Sequence, residues 1–315
     1  MNSDRLSLLR ENVEKVIIGK SQVIDLVLTS LIAGGHVLLE DVPGTGKTMM
    51  AKSLAHSMNA EFSRVQFTPD LLPSDITGLN FFNQKSGEFT FRPGPVFCNI
   101  LLADEINRAT PRTQSALLEC MEERQVTIDG ETRRLPDPFF VIATENPVET
   151  TGTFPLPEAQ LDRFFMKLAM GLPSRDEELA ILDRFESAQP LDTLEPVCTA
   201  EDITRAHREY TSVFVHPALK NYMVDLVQAT RNHPYVSSGV SPRGSLALLH
   251  AVQAYAYLQG RDYAVPEDIT ATAVPVLSHR LIANRGVGSL SDGDSVIRDI
   301  LSKTPVPTEN WRTVK

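Results

Sequence analysis

The chain has 315 residues and a net charge of −10, with hydrophobic and charged fractions of 42% and 22% that are ordinary for a globular protein. The length predicts about two domains, and the acidic balance argues against duplex DNA, whose phosphates call for clustered Lys and Arg. No apolar run approaches the roughly 20 residues that span a bilayer, and the polar N-terminus does not read as a signal peptide; the expectation is a cytoplasmic protein without membrane insertion.

In chain order, residues 3–17 are patterned as an amphipathic helix with Leu6, Leu9, Val13 and Val16 on one face. An apolar clip through Ile17, Ile18 and Gly19 leads to a second helix over 21–33, capped by Ser21 and stopped by Gly34-Gly35. Residues 61–67 alternate polar and apolar as a strand. Two hairpins follow, one about 79–92 around the turn at 84–87 and one about 124–135 around Asp129-Gly130. Between them lie a buried strand over 99–103 and a helix over 111–123 opened by Thr110-Pro111. Another buried strand covers 139–144. After Leu172-Pro173 strand signals disappear, and helices are expected over about 174–187, 200–212, 217–232, 242–259, 266–279 and 293–303. The pattern divides the chain into an α/β unit over 1–172, an all-helical unit over 173–305 and a loosely ordered tail over 306–315.

The chemistry centres on residues 36–48, HVLLEDVPGTGKT. An apolar strand breaks into a Gly-rich loop and then into a helix, the layout that wraps phosphates in backbone N–H groups at a helix N-terminus. Pro43, Gly44, Thr45, Gly46, Lys47, Thr48 and Met49 are the candidate phosphate-binding residues. Lys47 would reach the β- and γ-phosphates, and the Thr48 hydroxyl would ligate Mg²⁺. The strict pattern has Gly at the position of Asp41, a departure that leaves Gly44 and Gly46 to close the loop.

A second element, ILLADEINRA over 100–109, sets two acids at the C-terminal edge of a parallel strand, where ligand crevices of α/β sheets lie. Asp104 would hold Mg²⁺ through water and Glu105 would polarise the attacking water; a solvated strand end is the plainer alternative. Asn146 ends the next strand and reads either as a contact to that water or the γ-phosphate, or as the start of a turn at Pro147. Arg163 reads as a finger for a neighbouring subunit's γ-phosphate or as a surface ion pair with Asp162 or a nearby acid. Arg243 falls in the first turn of a helix whose Leu246, Leu249 and Tyr257 face a core. A lone cation there opposes the macrodipole and suggests an anionic partner. Cys98, Cys120 and Cys198 form no C-x-x-C pair, and the seven histidines include no H-E-x-x-H, so no metal site beyond nucleotide-bound Mg²⁺ is indicated. His36 and His56 read as structural. Of the hairpin aromatics, Phe89 and Phe91 read as packed on the sheet, while Phe81 and Phe82 could grip a client; Arg133 and Arg134 read as a solvated edge.

Taken together, EDVPGTGKT (40–48), LLADEINRATPRTQSALLECMEERQVTIDG (101–130), VIATENP (141–147), LPEAQLDRF (156–164) and SPRG (241–244) resemble the MoxR family of AAA+ ATPases. The resemblance implies a P-loop AAA+ core with a parallel sheet flanked by helices, plus a C-terminal all-helical lid domain. By the same resemblance Lys47 and Thr48 belong to Walker A, Asp104 and Glu105 to Walker B, Asn146 to sensor 1, Arg163 to the arginine finger and Arg243 to sensor 2. Ile18 and Gly19 sit where relatives contact adenine, and the two hairpins match inserts that point to a central pore. Mg²⁺-ATP hydrolysis in a ring, as a hexamer, a chaperone-like action on a protein client and a partner with a von Willebrand factor A domain are implied as well. Glu145 stands where the family usually has Gln. Two other readings remain: a nucleotide-gated adaptor with slow hydrolysis, and a DNA-handling motor of the same superfamily, which the acidic charge disfavours. A GTPase is disfavoured because no N-K-x-D motif follows the loop.

Overall fold

The computed structural model describes residues 3–85, 87–147, 152–186, 189–283 and 292–307. Helices α1 (Ser3–Glu14) and α2 (Ser21–Ile32) precede β1 (Val37–Glu40), α3 (Lys47–Ser57) and β2 (Phe62–Gln66). A single turn, α4 (Pro73–Thr77), opens a hairpin of β3 (Gly78–Asn83) and β4 (Glu88–Pro93), followed by β5 (Ile100–Asp104) and α5 (Pro111–Glu123). A second hairpin, β6 (Gln125–Ile128) and β7 (Glu131–Arg134), leads to β8 (Phe140–Glu145), α6 (Glu158–Leu161) and β9 (Met166–Leu168). Beyond Pro173 come α7 (Arg175–Phe185), α8 (Ala200–Glu209), α9 (Pro217–Arg231), β10 (Val236–Ser238), α10 (Pro242–Leu258), α11 (Pro266–Leu277), β11 (Ile282–Ala283) and α12 (Gly293–Lys303).

The main sheet runs β2-β5-β8-β1-β9, with every neighbouring pair parallel. Its central strands are buried on both faces, so they read as continuous apolar runs. Val37, Leu39, Ile100, Leu102, Phe140 and Ile142 face a core shared with α1, α2, α3 and the helices after Pro173. Leu38, Leu101, Ala103, Val141 and Ala143 face the other way, against α5. The core is therefore continuous from the sheet into the helical region. His36 sits inside it: the ring accepts from the Val141 N–H and approaches the Met121 carbonyl at 3.1 Å. Burial drops its pKa to about 3, and a neutral imidazole bridging β8 and α5 is a structural part.

Several expectations need correction. A short antiparallel pair, β10 with β11, lies in the region expected to be all helical. The N-cap of α2 is Lys20, with Ser21 already the first helical residue and no side-chain cap bond; Lys20 instead reaches across to the Leu172 carbonyl and Glu177. Leu246 is 58% exposed, and Leu248 takes the buried position on α10. Phe89 is 74% exposed and meets Phe82 edge-on at 5.4 Å; β3 and β4 form a two-stranded sheet of their own, unpaired with the main sheet that was expected to cover it. Phe91 packs on Phe97, and the Arg133 guanidinium lies 4.2 Å from its ring centroid. With Asn80 donating to Asp129 at 2.8 Å, that stacking joins the two hairpins to each other. Most of the tail over 306–315 lies outside the described residues.

Arg280 fastens the helical region to the sheet. Its buried guanidinium pairs with Asp162 at 2.8 Å and donates to the carbonyls of Phe164, Phe165 and Val276. Removing one member of a buried pair strands the other groups. Arg280→Ala is expected to cost about 3–5 kcal/mol in urea denaturation, and Arg280→Lys to recover only part of it, since one ammonium cannot replace the planar fork.

Candidate active site

The C-terminal edge of the sheet gathers the expected polar residues. A cavity of about 450 Å³ is lined by Pro43, Gly44, Gly46, Lys47, Thr48 and Met49 from the loop and α3, by Asp104 and Glu105 from β5, and by Asn146 after β8. Gly44 and Gly46 both adopt left-handed backbone, φ 86° and 92°, which L side chains rarely tolerate. A larger hollow of about 770 Å³ lies at the base of the first hairpin, but it contains neither the loop nor the paired acids, so the smaller cavity is the chemical one.

Thr144 knits the edge together. Its hydroxyl donates to Asp104 Oδ1 at 2.6 Å and accepts from the Glu105 N–H at 2.8 Å. Glu105 is held in left-handed backbone, φ 56°, ψ 51°, a conformation that persists where surroundings enforce it and that clusters at functional sites. Arg64 Nη2 lies 2.7 Å from Asp104 Oδ2. Gln66 donates to Glu105 at 2.7 Å, and Arg108 pairs with the same carboxylate oxygen at 3.0 Å. Lys47 donates to the carbonyls of Asp41 and Val42. Burial lowers its pKa, against the opposing pull of Asp41, Asp104 and Glu105.

Arg64 and Gln66 are site residues that the sequence reading missed. They occupy alternate positions of β2, whose register sets Gln66 beside Asp104; the signal was two polar side chains on one face of a strand neighbouring the acids. Thr45 stands in the loop but outside the cavity lining, as do Ile18 and Gly19. Ile17 comes close instead, its Cδ1 lying within 3.9 Å of where a Cβ on Gly46 would stand. Gly19 has φ 73°, and a Cβ there would collide with the Glu177 carboxylate.

Arg163 and Arg243 are in a different place. Neither lines the cavity of Lys47. Arg163 pairs with Glu122 at 2.9 Å and donates to the Leu118 carbonyl, so the nearby acid is Glu122 rather than Asp162. Arg243, in the first turn of α10, approaches Glu122 at 3.5 Å and Asp162 at 3.7 Å. The anionic partners that its position suggested are thus carboxylates of the protein itself.

The donors fit Mg²⁺ bound together with a phosphate: one carboxylate and one hydroxyl, both hard oxygen ligands, on the rim of one cavity. Among the described residues no group of three or more His, Cys, Asp or Glu could hold a metal without such a co-ligand.

Residues 36–166 match the ATPase family associated with various cellular activities (AAA), and residues 228–300 match the AAA lid domain. Chaperone MoxR1 of Mycobacterium tuberculosis is 42% identical over 95% of this chain and 81% of its own length. Protein MoxR of Paracoccus denitrificans is 32% identical over 84% and 85%. This chain is a member of the MoxR family of AAA+ ATPases. YeaC of Bacillus subtilis is 53% identical, covering 95% of this chain and 94% of that one. A crystal structure of a proposed ATPase from Cytophaga hutchinsonii superposes with a TM-score of 0.89 at 38% identity, covering 98% of this chain and 96% of its own. No described helix is long and apolar enough to cross a membrane.

Glu145 gives this MoxR-family site a titrating wall. It lines the cavity and stands in register with Glu40 on the adjacent strand, which pairs with Lys167 at 2.8 Å. Burial first, and then the Glu40 charge, raise its pKa from 4.5 to about 7, with Lys167 opposing. Between those values the folded chain keeps a proton that the unfolded chain has lost, so this group's contribution to stability falls as pH rises through the window. Glu145→Gln is expected to raise Tm relative to wild type more at pH 8 than at pH 5, as read by parallel thermal melts.

Proposed function

We propose that this chain hydrolyses ATP with Mg²⁺ and uses the cycle, within a ring of its own copies, to remodel a protein client. The observation that carries the reading is that Lys47, Thr48, Asp104 and Glu105 share one cavity at the sheet edge. Backbone N–H groups of Gly44–Thr48 would cradle the phosphates at the α3 N-terminus. Lys47 would neutralise the β- and γ-oxygens, and Thr48 and Asp104 would hold Mg²⁺, whose role is to offset charge on the transferred phosphoryl group. Glu105, fixed by Gln66 and by its bond to Thr144, would orient and deprotonate the attacking water, with Asn146 as a second contact. Ile18 and Gly19 would face adenine. The helical lid would begin near residue 173.

Arg163 and Arg243 meet at Glu122, away from the cavity of their own chain. If Arg163 serves a neighbour's γ-phosphate, Arg243 belongs to the same neighbour-facing surface. The family resemblance extends the reading to a hexamer and to a partner with a von Willebrand factor A domain, and the name of the relative Chaperone MoxR1 supports a protein client.

A second reading, a nucleotide-gated adaptor, draws support from the Glu105 carboxylate being engaged by both Gln66 and Arg108, which would slow each turnover. Client remodelling with ATP but not with a non-hydrolysable analogue favours the motor, whereas equal action with both favours the adaptor.

Glu105→Gln is expected to bind ATP and to turn it over about 10²-fold more slowly or worse; an undiminished rate would refute the role of Glu105. Specific activity of the wild type is expected to rise with protein concentration, and Arg163→Ala to bind ATP while losing about 10³-fold in rate. A flat concentration profile that is indifferent to Arg163 would remove the shared site.

A further inference from the structure

We infer that Glu122 is a positioning residue that sets the two neighbour-facing arginines, Arg163 and Arg243, for one anion. The inference rests on the shared-site reading above and adds the group that aligns its arginines. Glu122 lies in the last turn of α5, and its two carboxylate oxygens are divided between two guanidinium groups. Oε2 takes Arg163 at 2.9 Å, and Oε1 takes Arg243 at 3.5 Å. These arginines come from opposite halves of the fold, one just after α6 and the other in the first turn of α10.

Two guanidinium groups do not converge without a counter-charge, since like charges a few ångströms apart repel strongly where water is partly excluded. Glu122 supplies that charge in a two-oxygen planar form that matches guanidinium forks. Each arginine has a further contact besides Glu122. Arg163 is anchored from the same helix by the Leu118 carbonyl, one turn before Glu122. Asp162 has one oxygen taken by Arg280, leaving the other for Arg243 at 3.7 Å. The result borders a cavity of about 360 Å³ whose lining also includes Arg124 and Arg280. Both paired arginines keep solvent access, with side chains 34% and 55% exposed. They can therefore be shared with an arriving phosphoryl group, whose extra charge and oxygens let it bind the same forks. Glu122 holds the pair at one place, so the phosphate of a second copy meets two aligned cations rather than two mobile ones.

The test uses the full chain, with ATP turnover at saturating protein and, separately, binding of a fluorescent ATP analogue to the dilute chain. Glu122→Gln is expected to lower kcat about tenfold or more while the affinity of the dilute chain stays within about twofold. Glu122→Asp, which keeps the charge on a shorter arm, is expected to recover part of the rate. The Glu122→Gln/Arg163→Ala double variant is expected to be no slower than Arg163→Ala alone, since the two residues act as a unit. If Glu122→Gln turns over at the wild-type rate or faster while Arg163→Ala is slow, the positioning role is wrong and the shared site stands. If Arg163→Ala is itself at full rate, the shared site fails and Glu122 has nothing to position. Loss of ATP affinity in the dilute Glu122→Gln chain would assign the residue to folding instead and would overturn the inference.

Discussion

The Thr144 hydroxyl is the point on which the candidate site turns. One oxygen donates to Asp104 and accepts from the Glu105 N–H, so a single side chain on β8 fixes two consecutive acids on β5. The parallel pairing of the two strands sets the distance, with Leu102 opposite Ile142 and Ala103 opposite Ala143. Without that partner the left-handed turn at Glu105 would carry backbone strain on the order of 1–3 kcal/mol with less to hold it. Because the strands beneath are buried on both faces, the edge has little freedom to drift, and the carboxylates are presented to Lys47 by a rigid support.

A second constraint is the seating of the helical region. The core passes without interruption from the sheet into α9, α10 and α11, and Arg280 donates across that junction to the carbonyls of Asp162, Phe164 and Phe165. This seating places the start of α10 against Glu122 of α5 and Asp162 after α6, and no residue of α10 lines the cavity of Lys47. Arg163 and Arg243 therefore lie outside the cavity of Lys47 in their own chain, and the proposed shared site would bring the two surfaces together where copies meet. Acids on the second surface, Glu122 and Asp162, keep that surface from carrying a bare cluster of arginines.

How much of this was legible depended on whether a residue's role is set locally. Lys47, Thr48, Asp104 and Glu105 are each fixed by position at the end of a strand or the start of a helix, and the apolar runs before them mark those positions. Arg64 and Gln66 depend on which strand lies next to β5, and strand order is a long-range fact that periodicity does not encode. The same holds for the partner of Arg163. The sequence offered Asp162 or another nearby acid, and the chain path supplied Glu122, from 41 residues earlier. Phe89 and Leu246 show the converse limit. An alternating or helical pattern identifies a face, but whether anything covers that face is decided by how far the element projects. The three-residue β9 was too short to signal at all.

Asp41 was the one departure from the generic phosphate-loop pattern, and the fold supplies its reason. Oδ2 accepts from the backbone N–H groups of both Met170 and Gly171, immediately after β9. Met170 is buried, so a glycine at position 41 would leave its N–H without that acceptor, at a cost of about 1–3 kcal/mol. Lys20 makes a parallel tie, from the segment after Gly19 to Leu172 and Glu177. Both the start of the phosphate loop and the segment beside it are thus bonded to the same stretch of chain that leads into the helical region. A glycine would serve the loop's curvature, but Gly44 and Gly46 already provide that; the aspartate serves the connection. The generic pattern describes a loop that needs only to bend, whereas this loop is also tied by Asp41 to the chain at Met170 and Gly171.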